Sequence, residues 1–495
     1  MKKIFLFYFV CLISLNNFAQ EIKGKIIDSE LQEPVPFVNI QLSENKGTIS
    51  NNEGIFRLNI DGYEASHLVT FSSMGFEEFQ LSIEELQQIN TIVLKPSDEL
   101  LDQVVVTNKQ FTALEIIQKF NENRVKNHQL GENRFRLFHR KRNTFIPEQM
   151  VFQLKKASNL KKKERKRINK SLAEFDEEIS GSQSLGFYES LRDLYTLSDT
   201  ILFDLKKKIY LADSDAKNDV DEYQEQAIRK LFKNFDSEHT FKIKIGILKV
   251  ADSVEVNSSD DNISVGNTDD EDEHQIKPDF SVTEYPKIAY SEENSIPDVL
   301  SETKYFDYEL QEPTIVNGRP QYVIHFEPGR RKGKHKGRLY IDQEDFALTQ
   351  IDYQLAEGKK TNSVNLKFLG VKFNGYKDSN SIRFKKTENG NYIPYYANAT
   401  RAAYVFLRRT LTFIENNPNR SERIKFKLRF IIETKNEVTD EWVLLEHENI
   451  ADKPITSNNF NTSLEIETIE TYSPEIWKDY PVFEATKEMK EYHLK

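Results

Sequence analysis

Imidazoles, carboxylates, hydroxyls and clustered cations are the groups that could do chemistry in this chain, and their spacing decides which chemistry is open. A hydrolytic zinc centre needs closely placed imidazoles and carboxylates, with one coordination position left to water. The chain has nine histidines, and none begins H-x-x-E or H-E-x-x-H. His325 is followed by Phe-Glu-Pro and His447 sits between Glu446 and Glu448, so both read as strand or surface histidines rather than ligands. The run Gly181-Ser-Gln-Ser-Leu-Gly186 has the wrong spacing for a G-x-S-x-G nucleophile elbow, and no P-loop occurs. The sequence therefore names no catalytic, cofactor-binding or metal-ligating residue, and the expectation is a non-enzymatic protein without a cofactor. A hydrolase would need groups that meet only in the folded chain.

Two charge runs are the other chemical features. Lys161, Lys162, Lys163, Arg165, Lys166 and Arg167 lie in a basic stretch over 154–170, followed by Glu174-Phe-Asp-Glu-Glu178. On a helix this is a solvated, charge-segregated segment; its functional reading is contact with an anionic surface, at about 1 kcal/mol per basic residue. Apolar residues interrupt the basic run only at Leu160 and Ile168. Residues 252–278 are the acidic counterpart, with Asp260-Asp261 and Asp269-Asp-Glu-Asp-Glu273 among Ser, Asn and Gly. That composition predicts a disordered acidic loop, and its spacing does not fit a twelve-residue calcium loop.

The elements that position these groups follow from composition and periodicity. The 495 residues are 38% apolar, 30% charged and 12% aromatic, with net charge −11, which allows two to four domains and argues against a nucleic-acid partner. Residues 1–19 have a Lys2-Lys3 charged start, an apolar run from Ile4 to Leu15 and a small-residue end at Ala19, as a signal peptide does. The single cysteine, Cys11, falls inside that apolar run, away from a lipid-anchoring junction. No later stretch is long and apolar enough to predict a membrane-spanning helix. The expectation is an exported protein, periplasmic or peripherally associated with the outer membrane.

Residues 20–107 predict a β-sandwich. Ile22–Asp28, Phe37–Leu42, Gly54–Ile60, Leu68–Ser72, Glu77–Leu81 and Thr91–Leu94 are short alternating runs separated by turn residues. Gly24-Lys-Ile-Ile-Asp28, Pro34-Val-Pro-Phe-Val-Asn-Ile40, Asn52-Glu-Gly-Ile-Phe56 and Phe71-Ser-Ser-Met-Gly-Phe76 occur in that order. Together they resemble the carboxypeptidase-D regulatory-like domain. The resemblance implies a transthyretin-like sandwich of seven or so strands, and an accessory module rather than a catalytic half. Leu101-Asp-Gln-Val-Val-Val-Thr107 also looks like the segment that follows this domain in TonB-dependent receptors.

Residues 108–240 read as a helical and mixed linking region. Thr112 and Glu115 form a capping-box signal, and Leu114, Ile117, Phe120 and Val125 are expected on one helical face with Ile116 beside it. Residues 113–120 with 135–140, Tyr188 to Tyr195 and Tyr472 to Tyr480 are similar to segments of exported carboxypeptidase-like regulatory-domain proteins.

Residues 241–495 predict an antiparallel-sheet domain interrupted by the acidic loop. Phe426, Leu428, Phe430 and Ile432 alternate with Lys425, Lys427 and Arg429, so one face is buried and one is wet. Pro328 to Gly333 reads as a basic hairpin connection. Gly337 to Asp342 with Ala347 to Asp352 looks like a strand pair of lipoprotein carriers, whose curved sheet surrounds an apolar groove. If such a groove is present, the alternation makes Leu339, Ile341, Leu348, Ile351, Leu366 and Phe368 its inward residues; the alternative is that they form a core beneath a helix. An outer-membrane barrel is set aside, because too little chain follows Thr107 for 22 strands and the last residues are heavily charged.

The expected class is mainly β with some α. The expected function is non-enzymatic binding or scaffolding in a Gram-negative envelope, with a protein, lipid or glycan partner. The alternatives are a peptidase or other hydrolase related to carboxypeptidases, and an accessory to TonB-dependent transport.

Overall fold

Short alternating runs with turns between them can only be stable as two sheets closed on one core, and this is how the N-terminal region folds. The computed structural model describes residues 21–97, 111–211, 239–245, 248–256 and 296–492, less 182, 198, 199, 317, 452, 454, 456–459, 463 and 481. Its first elements are β1 (Glu21–Asp28), β2 (Asn39–Ser43), β3 (Lys46–Ile49), β4 (Ile55–Asn59), β5 (Leu68–Ser72), β6 (Phe79–Ser82), α1 (Ile83–Gln88) and β7 (Thr91–Leu94). One layer is β4-β1-β7 and the other pairs β3, β2, β5 and β6. Ile26, Val38, Ile40, Phe56, Val69 and Phe71 fill the space between them. Six strands are those the periodicity predicts; β3 is additional, formed because Glu44-Asn45 turns the chain back beside β2. Gly54 sits at φ 72° where an added Cβ would lie 2.5 Å from the Ile26 carbonyl, so the turn requires glycine.

The rest of the described chain forms α2 (Ala113–Asn127), β8 (Asn133–Ala157), α3 (Lys162–Ile179), β9 (Ser184–Thr196), β10 (Ile201–Leu211), β11 (His239–Ile245) and β12 (Leu248–Val256). There follow α4 (Asp298–Ser301), β13 (Phe306–Val316), β14 (Arg319–Pro328), β15 (His335–Asp342), β16 (Leu348–Leu355), β17 (Ser363–Leu366) and β18 (Val371–Lys386). The chain ends with β19 (Tyr392–Glu415), β20 (Lys425–Asn449), β21 (Glu467–Ile469) and α5 (Lys487–Lys490). Antiparallel ladders join β10-β9-β8-β20-β19-β18-β16-β15-β14-β13 in series. The series wraps into a barrel-like sheet around α2; among the described ladders none joins β13 to β10. The fold is mainly β with some α, as expected.

The boundary anticipated near residue 240 is not a seam. β8 pairs with β20 from Ala157–Phe426 to Asn133–Asn449, so residues 133–211 are structural members of the same sheet as 306–449. Local periodicity could not show this, because the partner strand lies some three hundred residues away. Of the acidic stretch 252–278, residues 252–256 belong to β12, and the remainder lies outside the described residues, as do 1–19 and 101–107.

The capping box at α2 forms: the Glu115 amide donates to Thr112 Oγ1 at 3.3 Å and Glu115 Oε2 accepts from the Thr112 amide at 2.7 Å. Its buried stripe is Ala113, Ile116, Ile117, Phe120, Arg124 and Asn127. Leu114 and Val125, expected on that face, are 54% and 58% exposed. The true stripe is set one residue earlier, because Ala113 is small enough to abut the sheet at the helix start.

β8, β19 and β20 have 25, 24 and 25 residues, several times the usual strand and about 80 Å long at roughly 3.3 Å per residue. They run out of the core around α2 into a second lobe covered by α3. There Ile168, Leu172, Phe175 and Ile179, spaced i, i+4, i+7 and i+11, pack on Phe152, Leu154, Phe426, Leu428 and Phe430. The basic run is thus the first half of an amphipathic helix whose apolar stripe lies mostly beyond residue 170. Among the described residues no helix is long and apolar enough to cross a membrane.

Candidate functional site

The expected groove residues divide between two places. Leu339, Ile341, Leu348 and Ile351 are fully buried with Phe120 and Ile117 of α2, so the helix fills the concave face they line. Leu366 and Phe368 are 42% and 77% exposed at β17 and the turn after it, far from that core. The six therefore do not line one groove; four are core beneath a helix, as the alternative reading held. Lys161, Lys162, Lys163, Lys166 and Arg167 are exposed at the start of α3, and Arg165 is half-buried.

A different site lies where the sandwich docks on the outside of the sheet. Docking begins at Phe37, held at φ 59°, a left-handed conformation costing about 1–2 kcal/mol for a bulky residue. The turn brings its ring onto Tyr396 at 4.9 Å, while Arg383 lies 5.4 Å from the ring centre and donates to the Phe37 carbonyl at 2.5 Å. Ile49 joins Phe138, Leu191, Tyr396, Val443, Trp477 and Phe483 in one core. Lys385 Nζ donates to the Glu44 carbonyl at 3.0 Å, and the His447 amide to the Asn45 carbonyl at 3.0 Å. The C-terminal segment closes the contact, with Asn51 Nδ2 donating to the Ala485 carbonyl and the Lys487 amide to Glu53 Oε1.

Beside this junction is a cleft of about 270 Å³. The sandwich supplies Glu44 and Asn45 from the β2–β3 turn; the α2–β8 connection supplies Leu130, and the start of β8 Asn133 and Phe135. The β18–β19 turn adds Thr387, Glu388, Asn389 and Asn391, the start of β19 adds Ile393, and the end of β20 adds His447 and Asn449. Five carboxamides thus converge from four separate segments. Asn133 Nδ2 is engaged by the Leu130 carbonyl at 2.7 Å, and Asn449 Oδ1 by the Ala451 amide at 3.1 Å.

His447 is 6% exposed, and burial, with Lys385 nearby, pushes its pKa down to about 3, so the imidazole is neutral. Its Nδ1 makes no hydrogen bond with the described residues. Burial pushes the Lys385 ammonium down to about 8, opposed by Glu44. Burial and the adjacent Glu388 push the Glu44 carboxyl up. Among the described residues no group of three or more His, Cys, Asp or Glu is placed to hold a metal ion. Planar amides and a neutral imidazole, beside the Glu44 and Glu388 side chains, make a hydrogen-bonding site for a polar ligand. Single residues gave no sign of it in the sequence; only His447 had drawn attention, as a surface or strand residue.

Residues 22–106 match the family model of the CarboxypepD_reg-like domain. The match covers the sandwich and none of the large sheet or its cleft-lining turns beyond Asn45. No curated protein matches the chain.

Proposed function

We propose that this protein is a non-enzymatic binding and scaffold protein of a bacterial envelope, in which the regulatory-like sandwich is a fixed wall of a ligand cleft. The carrying observation is the cleft at the junction, built by Glu44 and Asn45 from the sandwich and by Asn389, Asn391 and His447 from the sheet. A module held by stacking, an arginine contact and backbone hydrogen bonds is preorganised, which lowers the ordering cost of binding. The lining favours a hydroxyl- or amide-rich ligand, and of the partners the envelope offers, a glycan fits better than a lipid. Four of the six residues expected to wall an apolar groove, Leu339, Ile341, Leu348 and Ile351, are covered by α2. Export and the absence of catalysis belong to this reading and rest on the sequence features described first.

The test is saturation-transfer NMR on the full chain with soluble oligosaccharides (cellotriose, maltotriose and an N-acetylglucosamine trimer) at about 10 mM, enough to detect millimolar affinity. Transfer to at least one sugar is expected, lost in Asn389→Trp and weakened in Asn391→Ala, with thermal midpoints unchanged. No transfer to any of the three, or transfer indifferent to both substitutions, overturns the reading. Hydrolysis of a sugar or a peptide by the purified protein overturns its non-enzymatic part.

A further inference from the structure

The second lobe carries a charge that the whole-chain value hides. Residues 150–179, 239–245, 248–256, 366–373 and 405–432, which build its strands, its connecting turns and α3, contain 21 Lys and Arg against nine Asp and Glu. Net +12 here leaves −23 on the remainder of a chain that totals −11.

The sheet register sorts these cations. Phe426, Leu428 and Phe430 face α3, so the alternating Lys425, Lys427 and Arg429 face the other way. Lys427 lies directly opposite Lys156 on one side and Thr412 on the other, and Thr412 lies opposite Lys244. Lys425 continues the pattern through Ile414 to Lys242. Cations directly opposite one another in a ladder destabilise it, and among the described side chains of β8, β20 and β19 in these rows the face away from α3 carries no carboxylate. Lys156, Lys244, Lys425, Lys427 and Arg429 make no ion pair with a described carboxylate. A sheet face that retains such a cost is shaped for an anionic partner.

The same face ends in an apolar knob. Arg408, on this face opposite Ile431, reaches the Lys367 and Phe368 carbonyls at 3.4 Å. It thereby tethers the turn that projects Phe368, 77% exposed, and Leu369, 60% exposed. Gly370 must be glycine here: it sits at φ 80°, and an added Cβ would lie 2.4 Å from the Arg408 carbonyl. A soluble polyanion gives no use to two projecting apolar side chains, whereas a bilayer interface accepts them between its headgroups.

We infer that the face bearing Lys156, Lys244, Lys425, Lys427 and Arg429, with the Phe368-Leu369 knob, docks on an anionic lipid surface. It is a different surface from the α3 run Lys161 to Arg167, which lies across the sheet from it, and it is independent of the glycan cleft. Headgroup attraction would come from the sheet cations and shallow insertion from the knob.

The experiment is flotation of the full chain with vesicles of phosphatidylcholine alone and with about 30% phosphatidylglycerol. Binding is expected only to the anionic vesicles. Lys244→Gln, Lys427→Gln and Arg429→Gln together should weaken it about 100-fold, from about 1 kcal/mol per basic residue at such a surface. Phe368→Ser with Leu369→Ser should weaken it at least about tenfold, while neutralising Lys161 to Arg167 should have a smaller effect than the three sheet substitutions. All these positions are at the surface, and an unchanged thermal midpoint verifies folding. Equal binding to neutral vesicles, or none to anionic ones, overturns the proposal. So does vesicle binding that the knob substitutions leave intact. Duplex DNA bound more tightly than vesicles, with the same loss in the sheet variant, would assign the face to a polyanion instead.

Discussion

Replacing Phe120 by alanine tests whether α2 is the permanent filling of the curved sheet or a cover over a groove. Phe120 is fully buried, in the cluster that contains Leu339, Ile341, Leu348 and Ile351, and its ring lies 5.8 Å from His128. Losing the ring forfeits roughly 2–3 kcal/mol of apolar transfer. A residual cavity of about 50–100 Å³ adds about 1–2 kcal/mol at 24 cal/mol per Å³. The sum, about 3–5 kcal/mol, corresponds to a fall of roughly 6–20 °C in midpoint for a unit of this size. The assay is thermal unfolding followed by near-ultraviolet circular dichroism, with Leu366→Ala and Phe368→Ala as exposed comparisons that should lose less than about 0.5 kcal/mol. If Phe120→Ala costs under 1 kcal/mol, or stabilises when a fatty acid is supplied, the helix is a lid and the apolar groove returns as a binding site.

Two further outcomes concern acid and base. His128, His139 and His447 are buried with pKa values pushed down to about 3, 4 and 3, chiefly by burial. Each binds its proton more readily when unfolded. Stability is therefore full above about pH 6.5 and should decline as pH falls toward 4, by up to about 1.4 kcal/mol per pH unit per histidine. Midpoints between pH 7 and 4.5 should show this slope, and His128→Gln should flatten it; a slope unchanged in that variant contradicts the assignment. Asp176 is the opposite case: burial pushes its carboxyl up to about 7, opposed by the Phe152 amide that donates to it at 3.2 Å. A raised carboxyl pKa destabilises the fold as pH rises from about 4 past 7. Asp176→Asn, which keeps an acceptor, should raise the midpoint at pH 8 and leave it unchanged at pH 3.5; no gain at pH 8 refutes the reading.

Local patterns showed what local forces decide. The alternation of Phe426, Leu428 and Phe430, the Thr112–Glu115 cap and most sandwich strands depend only on neighbouring residues, and all are present. The parity of the same pattern put Lys425, Lys427 and Arg429 on one face, but nothing local showed that Lys156 and Lys244 complete that face from 271 and 183 positions away. The cleft was hidden for the same reason. Asparagine at a turn is ordinarily explained by its tolerance of turn geometry, so Asn45, Asn389 and Asn391 each had a sufficient local cause. Only the docking of one hairpin end against another gives them a common space. The groove expectation went astray differently: alternation identifies a buried face without saying what buries it, and here the cover is α2.

The long strands make these separate features into one device. Asn449 and His447 at one end of β20 border the cleft, and Lys425, Lys427 and Arg429 at its other end form the basic face. Twenty residues separate His447 from Lys427, so the two surfaces stand up to about 65 Å apart at roughly 3.3 Å per residue. β20 contains no glycine or proline, and it is hydrogen-bonded to β8 and β19 along nearly its whole length. Pro147 in β8 falls where the register shifts opposite Thr434, so it interrupts no regular pairing. A three-strand ribbon continuous through both cores has no hinge at which the lobes could fold together. If the basic face rests on a lipid surface, the ribbon therefore holds the glycan cleft at a fixed height above it. Flexible tethering would give a range of heights instead, and the ladders that hold β20 between β8 and β19 are the physical reason to expect one.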